Sequence, residues 1–265
     1  MPFSPRPQYK RTVKSPVSAN IALVYNNSGY QGTQPVTLPN NPSSGNVLLW
    51  AISNYKSGSM PAAAVPTKGG GTATIGTAVL DASTTLTSGS DYTRTEIYRI
   101  PVTGSGTLEI TPNYTGVGFF CGCIEVSGLD AKDGSSYTST ATSASETTGS
   151  MTGHAGGLMF GIVNELSSSV TTYSAVSDST VFSQDNATYF TGICQYRIVS
   201  GDESHALTST IPSSFEWLSL GVVYKKAPVS ATAAITGTAT ASITEADVKA
   251  GAKQIVITLT GATWV

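Results

Sequence analysis

Short apolar runs recur along this chain, and most are closed by Gly, Pro, Asn or Ser. They lie at 21–25, 46–52, 75–80, 92–100, 107–111, 118–126, 158–163, 189–199, 205–208 and 215–224. Val, Ile, Tyr, Phe and Thr dominate them, the residue types that suit a pleated, half-buried surface. Runs of this length at this spacing predict an all-β chain. The simplest arrangement is an antiparallel two-sheet β-sandwich.

Composition agrees. Charged residues are 11% of the 265, against about 25% in an ordinary soluble protein. Ser and Thr together make 72 of the residues. Polarity is therefore supplied by hydroxyls rather than charges. Disorder needs high charge and few apolar residues, the reverse of what is found. A helical bundle needs the Glu and Lys that are scarce here. No run of 18 apolar residues is present, so no membrane span is predicted.

The chain divides into three stretches. Residues 1–17 form an arm with Arg6, Lys10, Arg11 and Lys14 and no acid before residue 15. Pro2, Pro5, Pro7 and Pro16 keep it extended and out of a sheet. No apolar segment of signal-peptide type follows the basic residues, so the protein is expected either to stay in the cytoplasm that makes it or to leave by another route such as lysis. Residues 18–226 form the sandwich. After the shift at Lys225-Lys-Ala-Pro228, residues 229–265 form a short extra C-terminal β unit: a strand at 232–243, a capped turn at 244–247, and a strand at 253–259. Such a unit cannot bury a core alone.

Within the sandwich, 118–126 and 215–224 are nearly all apolar and are expected as central strands, with Trp50 and Trp217 as core anchors. The 92–100 run alternates and carries Arg94 and Glu96 on one face, which predicts a solvated strand. Residues 135–153 hold 12 Ser or Thr and are expected as Thr-rich edge strands with flanking loops. Gly69–Gly71 is expected to turn.

Chemistry is sparse. No nucleophile elbow, phosphate loop, dinucleotide fingerprint, zincin helix or EF-hand occurs. His154 and His205 are expected as exposed loop histidines. Glu96, Glu109, Glu125 and Glu216 fall on expected strands; Glu125 and Glu216 interrupt apolar runs, most simply as strand ends facing solvent. Asp130 and Asp133 lack the regular calcium-loop register and read as an Asx turn. Cys121 and Cys123 share a strand face, and with Cys194 they are expected as free buried thiols, a Cys123–Cys194 bridge being the alternative. No metal, no cofactor and no enzymatic activity are expected.

The patterns GNVLLWAI at 45–52, IEVSGLD at 124–130, GLMFGI at 157–162 and LGVVY at 220–224 resemble jelly-roll-type β-sandwich domains of tailed-bacteriophage virion proteins. Residues 235–265 resemble the opening of an immunoglobulin-like repeat that follows such domains. The resemblance implies a structural, attachment or decoration role on a virion surface and carries over no site residues. The arm, through Arg6, Lys10, Arg11 and Lys14, is expected to dock on other virion proteins or on copies of the chain in a homo-oligomer; neither a membrane nor a specific nucleic acid is an expected partner. The alternative is a carbohydrate-binding or adhesin module taking a host surface glycan, with Tyr30, Tyr55, Tyr92, Tyr98 and Tyr114 as a stacking platform. A hydrolase would need Glu125 or Glu216, or a Ser with His154 or His205, to converge in a cleft.

Overall fold

Side chains alternate across a strand, so a strand covered on both sides is apolar throughout and one covered on a single side alternates. The long strands here are of the first kind. The computed structural model describes residues 22–30, 34–116, 118–165, 173–176, 179–186, 191–227, 233–234 and 257–258. Its elements are all strands and turns among the described residues. In chain order the first half supplies β1 (Ala22–Tyr30), β2 (Val36–Thr37), β3 (Val47–Ser57), β4 (Thr67–Gly70), β5 (Thr74–Ile75), β6 (Val79–Ser88), β7 (Asp91–Gly104), β8 (Glu109–Thr111) and β9 (Gly118–Ser127). The second half supplies β10 (Leu129–Lys132), β11 (Tyr137–Thr147), β12 (Met151–Gly153), β13 (Leu158–Glu165), β14 (Ser174–Val176), β15 (Thr180–Asn186), β16 (Thr191–Ile198), β17 (Glu203–His205) and β18 (Thr208–Lys226).

Two antiparallel sheets pack face to face. One runs β1-β9-β3-β7, with β5 and β6 both paired to β7. The other runs β18-β13-β16-β15, with β10, β11 and β14 paired to β18. Leu49, Ala51, Ile97, Phe120 and Ile124 of the first meet Phe160, Ile162, Cys194, Leu220 and Val222 of the second. The alternate residues of the first sheet, Leu48, Trp50, Ile52, Ile100, Phe119 and Cys121, face the other way. They form a second core with Val36, Leu38, Leu108 and Ile110 from the small sheet β2-β8-β4. The outer face of the second sheet is covered likewise, around Trp217 at one end and around Met159 and Leu207 at the other. Trp50 and Trp217 are the expected anchors, and β9 and β18 are interior strands. Each sheet is built from one half of the chain, without the mixing of early and late strands that a jelly-roll path brings.

Three expectations need correction. The 92–100 strand is not solvated: β7 lies between β3 and β6, the small sheet covers its outer face, and Glu96 and Tyr98 are buried. It also runs on through Pro101, whose carbonyl accepts from Gly76 N–H at 2.8 Å at the break between β5 and β6. Residues 208–226 are one strand, in which 211–214 bulge opposite Ala144. Of the glycine triplet, Gly69 and Gly70 belong to β4; only Gly71, at φ +85°, turns, and a Cβ there would lie 2.2 Å from the Thr107 carbonyl oxygen.

The two halves repeat one another. Gly45 N–H bonds the Val102 carbonyl, Asn46 N–H that of Ser43, and Val102 N–H that of Asn46; Gly156, Gly157 and Val199 make the same three bonds with Val199, His154 and Gly157. Leu38 N–H to Leu108 O is matched by Thr148 N–H to Leu207 O. The irregularity between Leu80 and Ala82 where β6 meets β7 recurs between Val181 and Ser183 where β15 meets β16. Thus β3 corresponds to β13, β7 to β16, β6 to β15, and β4 to β14. The pair Val36–Ile110 corresponds to Glu146–Ser209.

Residues 20–227 are one unit; the other comprises 1–19 and 228–265. In the latter, β19 (Ala233–Ala234) and β20 (Ile257–Thr258) form a parallel pair, each inside an expected strand. The capped turn at 244–247 and the arm with Arg6, Lys10, Arg11 and Lys14 lie outside the described residues.

Candidate functional site

A carboxyl group is seldom buried without partners, because desolvation of the charge is costly. This sandwich buries Asp81, Glu96, Glu125, Glu146 and Glu165. Three of them fasten structure. Glu96 accepts Ala64 N–H at 2.7 Å and Arg94 Nε–H at 3.0 Å, so it ties the covering 58–66 loop to β7. Its charge and, first, burial push the neighbouring Tyr98 phenol well above its ordinary range. Glu125 is a correction. It does not face solvent at a strand end, because the 42–46 turn folds over it; its Oε1 accepts Ser43 N–H at 2.8 Å and Asn46 Nδ2–H at 2.5 Å. Glu216 is half-buried on β18, and Glu109 half-buried on β8. Glu125 and Glu216 stand on different sheets.

Asp81 joins the sheets. Its Oδ2 accepts Arg99 Nε–H at 2.7 Å and the Tyr224 hydroxyl at 2.9 Å, while its carbonyl accepts Lys132 Nζ–H at 2.6 Å. Burial, then Asp81, pushes the Tyr224 phenol well up.

Surface groups form smaller networks. His154 keeps a side-chain exposure of 58%, with Nδ1 3.3 Å from Asp202 and Nε2 3.6 Å from Asp133. Asp133 also ion-pairs with Lys225 at 2.8 Å, and Asp130 is exposed on β10. The Ala155 N–H, then His154, holds Asp202 below the usual carboxylate range. His205 is half-buried on β17, so the expectation of an exposed loop does not hold for it. Arg197 grips Glu203 with two bonds, at 3.0 and 3.1 Å, and holds its carboxyl low. Among the described residues no cluster of three or more His, Cys, Asp or Glu is placed to hold a metal ion.

The tyrosines of the alternative, sugar-stacking reading are mostly drawn into the fold. Tyr98 is buried under the small sheet, Tyr114 packs on Phe119 with ring centroids 4.5 Å apart, and Tyr55 donates to Asp91 at 2.8 Å. Tyr92 is half-buried, and the Tyr30 side chain lies outside the described residues. Cys121, Cys123 and Cys194 are buried and none forms a disulfide, and burial pushes the Cys123 and Cys194 thiols well up. Cys123 faces the outer core and Cys194 the inner one, so they are not bridged.

Sequence reading missed the pair that stands out in the structure. Glu146, near the end of β11, and Glu165, the last residue of β13, meet at hydrogen-bonding distance with the start of β18 beside them. Ser209 donates its hydroxyl to Glu146 Oε2; Thr191 makes a long contact of 3.5 Å to Glu165 Oε2; Tyr173 donates to Thr191 at 2.9 Å. One oxygen of each carboxyl, Oε1, is buried without a donor. Burial, then the contact with Glu165, pushes Glu146 up to about 9, and burial pushes Glu165 up as well. The available signal was Glu165 following, after Asn164, the apolar run LMFGIV. No family model, curated protein or solved structure matches this chain.

Proposed function

We propose that this chain is a structural component of a tailed-phage particle, a capsid-decoration or fibre-like surface protein. It assembles with copies of itself and with other virion proteins and is anchored through its N-terminal arm. The observation that carries the reading is β11. Eleven residues long, it pairs with β18 alone among the described residues, so no described strand lies along its other edge. Domains that stay apart blunt such an edge with Lys, Pro or a projecting charge. β11 has neither Lys nor Pro; its one charged residue, Glu146, is buried, and Thr138, Thr140 and Thr142 are exposed. A hydroxyl-studded open edge supports strand-to-strand joining of subunits. The basic, acid-free arm of the sequence supports docking on an acidic neighbour, and the resemblance to virion sandwiches supports the setting.

The test is to purify particles on a density gradient from the cells that make this chain. Its peptides are expected in the particle peak, with antibody against 18–226 decorating the particle surface. In a variant with Arg6, Lys10, Arg11 and Lys14 replaced by Glu, the chain is expected to leave that peak. Particles free of the wild-type chain would overturn the proposal.

A further inference from the structure

Among the buried places where the two repeats of the sandwich differ, one brings two carboxyls together. Where the first half closes β2 on β8 with Val36 opposite Ile110, the second sets Glu146 opposite Ser209. Where β3 carries Asn54, β13 carries Glu165, Asn54 standing opposite Phe119 of β9 and Glu165 opposite Trp217 of β18. The first half shows that this architecture closes without carboxyls at this place, so the fold as such does not require the pair in the second half.

The surroundings of the pair define what it does. From β18 come Ser209 and Trp217, from β16 Thr191, and from the residue before β14 Tyr173, the other titratable side chain there. Neither carboxyl has a Lys, Arg or His partner among the described residues. Two carboxyls in contact in such surroundings cannot both ionise. Each also leaves its Oε1 without a donor, and a hydrogen shared by the two carboxyls supplies one.

We infer that Glu146 and Glu165 share a single proton, and that this proton is a pH-sensitive latch fastening the end of β11 to the end of β13 across the start of β18. The proton resides on Glu146, which donates it to Glu165, in keeping with the upward displacement of Glu146 to about 9. Tyr173 is displaced above its ordinary range of about 10 by burial and by both carboxylates, so it stays neutral throughout. In the unfolded chain both carboxyls ionise near pH 4.3. Between there and about 9 the folded chain therefore holds one more proton than the unfolded chain. The latch is complete at acid pH, and its contribution declines as pH rises through that interval, by up to about tenfold in the unfolding constant per pH unit. This inference is independent of the assembly role proposed above.

The test is equilibrium urea unfolding of the full chain from pH 5 to 10, wild type beside E165Q, with carbon-13 NMR of the wild-type glutamate carboxyls. In E165Q the amide donates to Glu146 in place of the proton, so the part of the displacement that Glu165 causes is lost while the part due to burial stays, and the pH dependence narrows. Wild type is expected to be the more stable at pH 5 and to lose that lead by pH 9. One buried carboxyl is expected to titrate far above the ordinary range, a result that stands even if E165Q fails to fold. Parallel pH curves, or two carboxyls that both titrate below pH 6, would overturn the latch. So would stabilisation of the wild type by millimolar Ca²⁺ at pH 8, lost in E165Q, which would put a cation where the proton is placed.

Discussion

Tyr224, on β18 of one sheet, donates its hydroxyl at 2.9 Å to Asp81, on β6 of the other, and Arg99 donates to the same carboxylate oxygen at 2.7 Å. A single buried acceptor thus fastens the two sheets at the flank where β6 meets β18. Hydrogen bonds to a charged group contribute about 1.5–3 kcal/mol. Y224F is expected to lose about that much in urea unfolding, with an unchanged denaturant slope, because the aromatic ring still fills its place.

Glu125 holds the turn before β3 from beneath. E125A leaves the Ser43 N–H and the Asn46 amide without their acceptor, at a cost of about 1–3 kcal/mol. E125Q keeps an acceptor oxygen and is expected to cost less. Hydrogen exchange at the Ser43 amide reads the effect directly: it is expected to speed in E125A well before the strands of the core respond.

Two glycines separate strain from crowding. Gly89 has φ +60° with open space around its Cβ position, while Gly71 has φ +85° with the Thr107 carbonyl oxygen 2.2 Å away. G89A is expected to cost about 1–2 kcal/mol through backbone conformation alone. G71A bears the same cost plus displacement of β8, and its Tm is expected to fall clearly further.

The internal repeat makes its own prediction. Rewriting the carboxyl site as its counterpart, with E146V, S209I and E165N together, replaces a buried polar cluster by the apolar pair that the other half uses. Such replacements are neutral or stabilising by about 1–4 kcal/mol. The triple variant is expected to fold with an unchanged far-ultraviolet spectrum and to melt at or above the wild-type temperature at pH 8. Misfolding would argue that the halves are not equivalent there.

The apolar runs were enough to find the strands, because β-branched and aromatic residues bounded by Gly and Pro have few other uses. What they hid was layering. β7 reads as half-solvated because Arg94, Glu96 and Arg99 lie along it, yet Glu96 is spent on the covering loop and on Arg94, and Arg99 on Asp81 of the neighbouring strand. The repeat was invisible for a related reason: corresponding positions such as Val36 and Glu146, or Trp50 and Gly161, conserve backbone hydrogen bonds and facing, not side-chain type. Glu146 was concealed by the Ser/Thr-rich segment around it, where a carboxyl looks like one more exposed polar group; only the meeting of β11 with β13 across β18 brings it to Glu165. The open edge of β11, by contrast, was readable from its threonines.

Assembly is the property on which the proposed role rests, and sedimentation velocity on the full chain across the micromolar range measures it most directly. The wild type is expected to sediment as a homo-oligomer. Lysines at the exposed edge, in T138K, T140K and T142K together, are expected to shift it toward the monomer without changing its melting temperature. A wild-type chain that remains monomeric at every concentration, indistinguishable from the lysine variant, would contradict the account.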